Sequence, residues 1–405
     1  MTTSAEPTKS KDRIIFLDVL RGFALSGILF ANILSWSGYK FLPTAALLKL
    51  GNTVYDNQLY FILKFFIDTK FYTIFSILFG IGFYMQLSKN KNNALFPALY
   101  FRRMCLLLVI GLFHAVFWSG DILTLYAVIG MLLLAMRNVS PSKLLPLAIV
   151  FYFTPVLLDI IYMFSFASEL PALEKTAIKV YPDMSPEQIV NGFRSEDLLR
   201  VLKTNLHNLY WRWYDFIPSG RPFKILGLFF LGSYLYNIRF FTVAALKWKN
   251  TILFGILGFG ITFVSMKLHG NASAFSKNWA EVLTRFIHEL GQINLSLFYI
   301  SFLAILVNYT PNFFLFRWLK NYGRMSLTSY IGQTILGILI FYPVASLFAY
   351  FGQLSLQDIY YIGAGILALQ LLFSNLWFRY FKFGPIEWLW RCATLKKWFP
   401  IKLNA

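Results

Sequence analysis

The chain has 405 residues, 58% of them hydrophobic, 19% aromatic and 14% charged, and its mean hydropathy is +0.59. That balance excludes an ordinary soluble enzyme, because apolar runs of about 20 residues recur, each long enough to cross a roughly 30 Å hydrocarbon core. The net charge of +19 would suit a nucleic-acid binder, but the basic residues gather in every second loop, the positive-inside distribution of a membrane protein.

The predicted fold is all-α, a polytopic integral membrane helical bundle with about ten transmembrane helices, at 14-34, 68-87, 101-118, 121-138, 144-166, 222-238, 250-268, 291-308, 325-345 and 357-378. Lys9, Lys11 and Arg13 precede the first span, and Lys89, Lys91, Arg102 and Arg103 precede the third. Arg137 and Lys143, then Arg239, Lys247 and Lys249, then Arg317, Lys320 and Arg324, continue the series to the basic tail. The alternation puts both termini in the cytoplasm and the long loop 167-221 outside. The chain therefore divides into a cytoplasmic tail (1-12), a bundle (13-380) carrying the external loop 167-221, and a basic cytoplasmic tail (381-405). Asp18 and Arg21 interrupt the apolar region that a cleavable signal would need, so helix one is expected to be retained. Cys105 and Cys392 both fall near the cytoplasmic side, which argues against a structural disulfide.

Helix one, FLDVLRGFALSGILFAN, carries the first candidate site. At about 100° per residue, Asp18, Arg21, Leu25, Leu29, Asn32 and Trp36 fall on one stripe, and Asp18 to Asn32 covers roughly 21 Å. The stripe can line a passage; equally, Asp18 and Arg21 can be an i,i+3 pair that neutralises itself, with Asn32 bonding a neighbouring helix. In FYTIFSILFGIGF (71-83), Ser76 and Gly80 form a small-xxx-small pair, read as close helix packing. Helix three again puts a cation, Arg103, and an ionisable ring, His114, on one face about 16 Å apart. The tight WSGD turn brings Asp121 to the depth of His114, so a carboxylate can orient the ring while also capping the next helix.

Further along, loop 167-221 combines four prolines, with Pro222 directly after it, an amphipathic helix near 186-204 and the aromatic run YWRWYDF (210-216), suited to capping a site or to lying at headgroup depth. His207, His269 and His288 are expected at the surface. In NYGRMSLTSYIGQT (321-334), Arg324 and Thr328 share a face at a polar helix start. The Pro155 kink near Asp159 is the single helix break expected, and there is no internal repeat. No metal-ligand spacing, Walker loop or GxSxG elbow is present.

The stretches LDVLRGFALSGILFANI (17-33), IFSILFGIGF (74-83), GLFHAVFWSGDILTLYAVIG (111-130) and GRMSLTSYIGQTILG (323-337) resemble the successive signatures of the YeiB-like family of bacterial membrane proteins. That family in turn looks like a branch of the transmembrane acyltransferase superfamily, which includes type-3 acyltransferases and the lysosomal heparan-α-glucosaminide N-acetyltransferase. The superfamily's helix-one pattern is matched by Asp18, Arg21, Gly22 and Asn32. The histidine that the lysosomal relative places soon after the asparagine is missing from NILSWSGYKFLPTAA.

The resemblance implies a multi-pass protein of the bacterial inner membrane that moves an acyl group from cytoplasmic acyl-CoA to a hydroxyl or amine on the far side. Asp18, Arg21, Arg103, Arg324 and Thr328 are the expected CoA-binding residues, and Asn32, His114 and Asp121 the catalytic ones. No metal is expected. The expected partners are acyl-CoA, a small-molecule, sugar or lipid acceptor and membrane lipids; nucleic acid is not among them, and a homodimer is compatible. The alternatives are a secondary transporter or exporter that uses Asp18, Arg21 and His114 as a relay, and a non-catalytic scaffold.

Overall fold

A computed structural model of the protein describes residues 15–50, 54–166, 178–216, 218–240, 247–268, 278–345 and 348–403. The tail 1-12, the start of the external loop and His269 lie outside the described residues. Helices account for the architecture, and among the described residues there is no strand, only an isolated bridge between Phe381 and Lys402.

In chain order the helices are α1 (Ile15–Trp36), α2 (Thr44–Lys49), α3 (Val54–Ile62), α4 (Lys70–Lys89), α5 (Phe96–Phe117), α6 (Leu123–Ala135), α7 (Pro141–Tyr152) and α8 (Thr154–Ile161). They continue as α9 (Pro186–Phe193), α10 (Leu198–Phe216), α11 (Arg221–Asn237), α12 (Trp248–Lys267), α13 (Trp279–Tyr309), α14 (Phe314–Arg324), α15 (Ser326–Phe341), α16 (Leu356–Trp377) and α17 (Pro385–Leu395).

Every expected span falls on a helix, but among the described residues six helical segments are long and apolar enough to cross a membrane, seven if the pair α7 and α8, bent by 47°, is one span. The segments expected at 121-138, 222-238 and 325-345 hold helices of 13, 17 and 16 residues. At 1.5 Å per residue these reach roughly 20 to 26 Å, short of a full hydrocarbon core. Phe113, Val109 and Ile256 are exposed on α5 and α12, as lipid-facing residues of a helical membrane bundle must be.

Two apolar cores meet at α1. Its first half, through Leu17, Leu20 and Ala24, packs with Ile77, Leu228, Ile300 and Leu319; its second half, through Leu25, Ile33 and Trp36, packs with Tyr126, Phe229 and Tyr330. Close crossings set the helix spacing. A β-carbon on Gly22 would stand 2.1 Å from the Leu319 carbonyl oxygen, and one on Gly323 would stand 1.9 Å from that of Asp18, so α1 and α14 touch backbone to backbone. Gly80 and Gly232 do the same for α4 and α11, where Ser76 also reaches the Tyr126 hydroxyl at 2.6 Å. The packing role read for Ser76 and Gly80 is therefore found.

Two features depart from expectation. The helix break at Pro155 has a companion: α3 passes through a π-helical turn, Leu63–Ile67, and then stops, with Asp68 extended and Thr69 left-handed at φ 70°. A β-branched residue rarely adopts that conformation, so surrounding contacts must hold it. The amphipathic segment at 186-204 is two helices, α9 and α10, parted at Ser195 to Asp197; Ser185 and Gln188 form a capping box that starts the first.

Candidate functional site: a cavity along α1

One cavity of about 1630 Å³ runs beside α1 and is lined there by Asp18, Arg21, Leu25, Ile28, Asn32 and Ser35. Asp18 to Ser35 is a rise of roughly 26 Å. The expected stripe is thus present, turned by about 60° toward Ile28 and Ser35, at 100° per residue. Its other edge goes into the core: Leu29 and Trp36 are fully buried, and Trp36 meets Trp118 at a ring separation of 5.0 Å. Both readings of Asp18 and Arg21 hold together, since they pair at 2.7 Å and also face the cavity. Asp18 is 1% exposed and Arg21 26%, so the carboxylate is the anchored partner.

At the start of α1 the cavity has a mouth, here termed proximal, with Lys89, Lys91, Arg103, Arg324 and Arg391 on its wall. Three of these guanidinium groups lie on aromatic rings: Arg103 over Trp390 at 4.1 Å, Arg324 over Phe378 at 3.8 Å and Arg391 over Phe383 at 4.6 Å. Arg103 also donates to Gln86 Oε1 at 3.4 Å and Arg324 to the Lys382 carbonyl at 3.2 Å, so these protein partners are neutral groups. Arg102 donates to the Thr394 carbonyl at 3.1 Å and is not on the cavity wall. Thr328 is not on the cavity wall. Its hydroxyl donates to Glu387 Oε2 at 2.6 Å, while Glu387 Oε1 accepts the amides of Leu327 and Thr328 and so caps α15 from α17. Burial pushes the Glu387 carboxyl above its ordinary value.

The histidine expected to face Asp121 does so. His114 Nδ1 lies 2.8 Å from Asp121 Oδ1, and Asp121 also accepts from the amides of Leu123 and Thr124 at the head of α6. The other ring nitrogen, Nε2, meets Thr334 Oγ1 at 2.9 Å. His114 and Asp121 are buried, at 4% and 5% exposure, and neither lines the cavity. Trp118 and Tyr330, both on the wall, pack against the His114 ring at 5.7 and 5.2 Å.

Past the middle of α1, where Gly27 meets Phe71, the cavity opens into a distal pocket built largely by residues to which the sequence assigns no role. Lys224 pairs with Glu289 at 2.5 Å and donates to Gln292 Oε1 at 2.8 Å. Gln292 donates in turn to Thr73 and to the Thr69 carbonyl, so it holds the left-handed break. Arg285 makes two 3.0 Å bonds to Asp159 and a third to the Ser219 carbonyl, and Lys64 pairs with Asp68 at 2.7 Å. His288 also lines this pocket, with Nδ1 3.4 Å from Ser265 Oγ.

His207 and His288 are therefore not surface residues. His207 is 1% exposed because α10 folds back against the preceding strand of chain, where its Nε2 accepts from the Met184 amide at 3.1 Å. The surface expectation for His288, and the absence of any for Glu289, follow from a span begun at 291, whereas α13 begins at Trp279; the apolar spacing Val282, Phe286, Leu290 is the sequence signal that extends it. Cys105 and Cys392 are both free thiols.

The model of the family described as "Protein of unknown function (DUF418)" matches residues 235–397. YxaH of Bacillus subtilis (strain 168) is 32% identical, the alignment covering 98% of each chain. The chain belongs to the YeiB-like DUF418 family. A Bacillus acidopullulyticus protein, the "39.9 kDa protein in amylase 3'region", is 30% identical over 98% of this chain and 99% of its own. YeiB of Escherichia coli (strain K12) is 26% identical over 95% and 97%. No solved structure matches.

Proposed function

We propose that this DUF418 protein is a membrane-embedded acyltransferase of the bacterial inner membrane, which takes acyl-CoA at the proximal mouth, on the cytoplasmic side, and acylates a hydroxyl or amine in the distal pocket. The observation that carries the reading is the continuity of one cavity from a mouth rich in arginine to a polar pocket, over about 26 Å of α1. Arg21, Arg103 and Arg324 supply guanidinium groups for the nucleotide phosphates, by charge-assisted and bidentate contacts that arginine makes well. Leu25 and Ile28 give the pantetheine arm a partly apolar wall.

Asn32, on the wall toward the distal end, is positioned to donate to the thioester carbonyl. The base is assigned to His288, because it is the histidine that lines the cavity among the described residues. His114 has both ring nitrogens occupied one layer back, and with Asp121 it acts as a positioning group for Trp118 and Tyr330. As the acceptor oxygen or nitrogen attacks the acyl carbon, His288 takes its proton; the C–S bond breaks and His288 returns the proton to the departing thiolate. Acceptor and acyl-CoA thus give acylated acceptor and free CoA.

The test is a thermal-shift titration of the purified protein with CoA, acetyl-CoA and longer acyl-CoAs. Saturable stabilisation is expected, since a ligand of the native state raises the midpoint by mass action. A melt unmoved by every CoA derivative defeats the proposal. In that event a transporter takes its place, a reading favoured by one observation: the helix break at Asp68 and Thr69, inside a charged pocket.

A further inference from the structure

The distal pocket contains more positive charge than its carboxylates neutralise. Asp68 is engaged by Lys64, Glu289 by Lys224 and Asp159 by Arg285. Lys40, Arg212 and Arg221 also line the pocket, and among the described residues no carboxylate forms an ion pair with any of them. The nearest remaining acid on the wall is Asp215, which feels the field of Arg221. On the wall itself three cations face one carboxylate, an excess of two positive charges there, with the buried Asp121 behind Arg212.

The three groups converge. The guanidinium groups of Arg212 and Arg221 lie 5.3 and 5.4 Å from the centre of the same Phe216 ring, and Lys40 feels the repulsion of both. Arg221 also opens α11, whose N-cap, Gly220, is left-handed at φ 69° and offers no side-chain cap, so the positive end of the helix dipole adds to the field. Burial, reinforced by Arg221, lowers the pKa of Arg212 to about 10, the sense expected of a cation enclosed without its counter-ion.

A structural arginine in this protein looks different. Arg194 donates through Nε and Nη2 to the carbonyls of Phe351 and Gly352, and Arg285 makes three bonds, two of them to the carboxylate of Asp159. Arg212 makes one bond, to the Asp121 carbonyl at 3.1 Å, and its buried Nε has no acceptor; the buried Nε of Arg221 has none either. Charged donors enclosed with so few acceptors are costly unless an anion completes them.

We infer that Lys40, Arg212 and Arg221 form a binding site for a phosphate monoester, whose two negative charges match the excess and whose oxygens match two guanidinium forks and an ammonium. On the acyl-transfer reading, the phosphate belongs to the acceptor and holds its hydroxyl or amine beside His288. The binding site itself does not depend on that reading.

The test uses the purified full-length protein, without CoA, in thermal-shift titrations at constant ionic strength. Inorganic phosphate and a short-chain phosphatidic acid are the two probes, with phosphatidylcholine as the lipid control. Saturable stabilisation by at least one phosphate probe is expected. Arg221→Gln and Lys40→Met should each weaken it about tenfold, the loss of one charge-assisted contact, while Arg102→Gln, off the cavity wall, leaves it unchanged. Phosphatidic acid binding more tightly than phosphate would assign the ester to a lipid, and equal binding to a soluble acceptor; both support the site. Lys40 is accessible from the cavity, so its variant remains informative if Arg221→Gln fails to fold. The inference is overturned if neither probe stabilises the protein, if phosphatidylcholine does so equally, or if Arg102→Gln rather than Arg221→Gln and Lys40→Met abolishes the response. Phosphate binding with no CoA binding would sink the acyl-transfer reading and leave this one standing.

Discussion

The two ends of the cavity hold their cations in opposite ways. At the proximal mouth, Arg103, Arg324 and Arg391 rest on the faces of Trp390, Phe378 and Phe383, contacts of about 0.5 to 2 kcal/mol, and the hydrogen bonds of Arg103 and Arg324 go to the neutral Gln86 side chain and Lys382 carbonyl. In the distal pocket, Lys224 and Arg285 are clamped to Glu289 and Asp159 in buried pairs. Stripping one partner from such a pair costs about 3 to 5 kcal/mol, because the other charge is left in a poor solvent. Substitution at the mouth should therefore change what binds, and substitution in the distal pairs should change whether the protein stands.

The largest expected effect breaks a distal pair. Asp159→Ala leaves Arg285 facing an empty carboxylate position and should lose about 3 to 5 kcal/mol of stability in a denaturant titration. A loss under about 1 kcal/mol would erase the contrast between the two ends.

His288→Ala addresses chemistry instead. Once an acceptor is in hand, acyl transfer should fall about 10² to 10⁴-fold, or roughly 3 to 5 kcal/mol of transition-state stabilisation, with CoA affinity unchanged. Activity within a few-fold of wild type returns the base role to His114, which His114→Ala, scored on both melt and rate, then tests directly.

At the mouth, Arg103→Gln should weaken CoA binding by about 1.5 to 3 kcal/mol without a comparable loss of stability. Arg21 is the poorer choice for this measurement, since its removal takes the 2.7 Å partner from buried Asp18 and mixes folding with binding. Unaltered CoA affinity in folded Arg103→Gln removes that residue from the site.

The smallest effect is a pH dependence. Because the folded state raises the pKa of Glu387 above 4.5, the native protein binds more protons than the unfolded chain in the window above that value. Its contribution is fully present below pH 4.5 and is lost as the pH climbs through the raised pKa. Glu387→Gln should flatten that slope in a series of melts; an identical slope in the variant would mean that another group titrates there.

What the sequence disclosed depended on distance along the chain. The Asp18, Arg21 and Asn32 stripe follows from helical period, and the His114 to Asp121 contact from a turn too short to separate them. The bond from His114 Nε2 to Thr334, 220 positions away, has no local signal, and it is the bond that sets His114 back from the cavity. Arg324 and Thr328 share a face only on one continuous helix, whereas α14 ends at Arg324, α15 begins at Ser326, and the Thr328 hydroxyl is taken by Glu387 from α17. Lys224, Glu289 and Gln292 come from two different helices. None belongs to a local motif, and they become a network when α4, α11 and α13 pack.

The crossing of α1 and α14 has a consequence for how the family is recognised. The stretches LDVLRG and GRMS lie 300 positions apart in the chain, yet Gly22 sits against Leu319 and Gly323 against Asp18, so these two marks are the two halves of one joint. A third mark, IFSILFG, is half of another, since Gly80 abuts Phe229. Matching such stretches certifies that a chain can be assembled in this way. It is silent on the cargo, because Lys40, Arg212, Arg221 and His288, on which the proposed sites rest, lie outside the four stretches that mark the family.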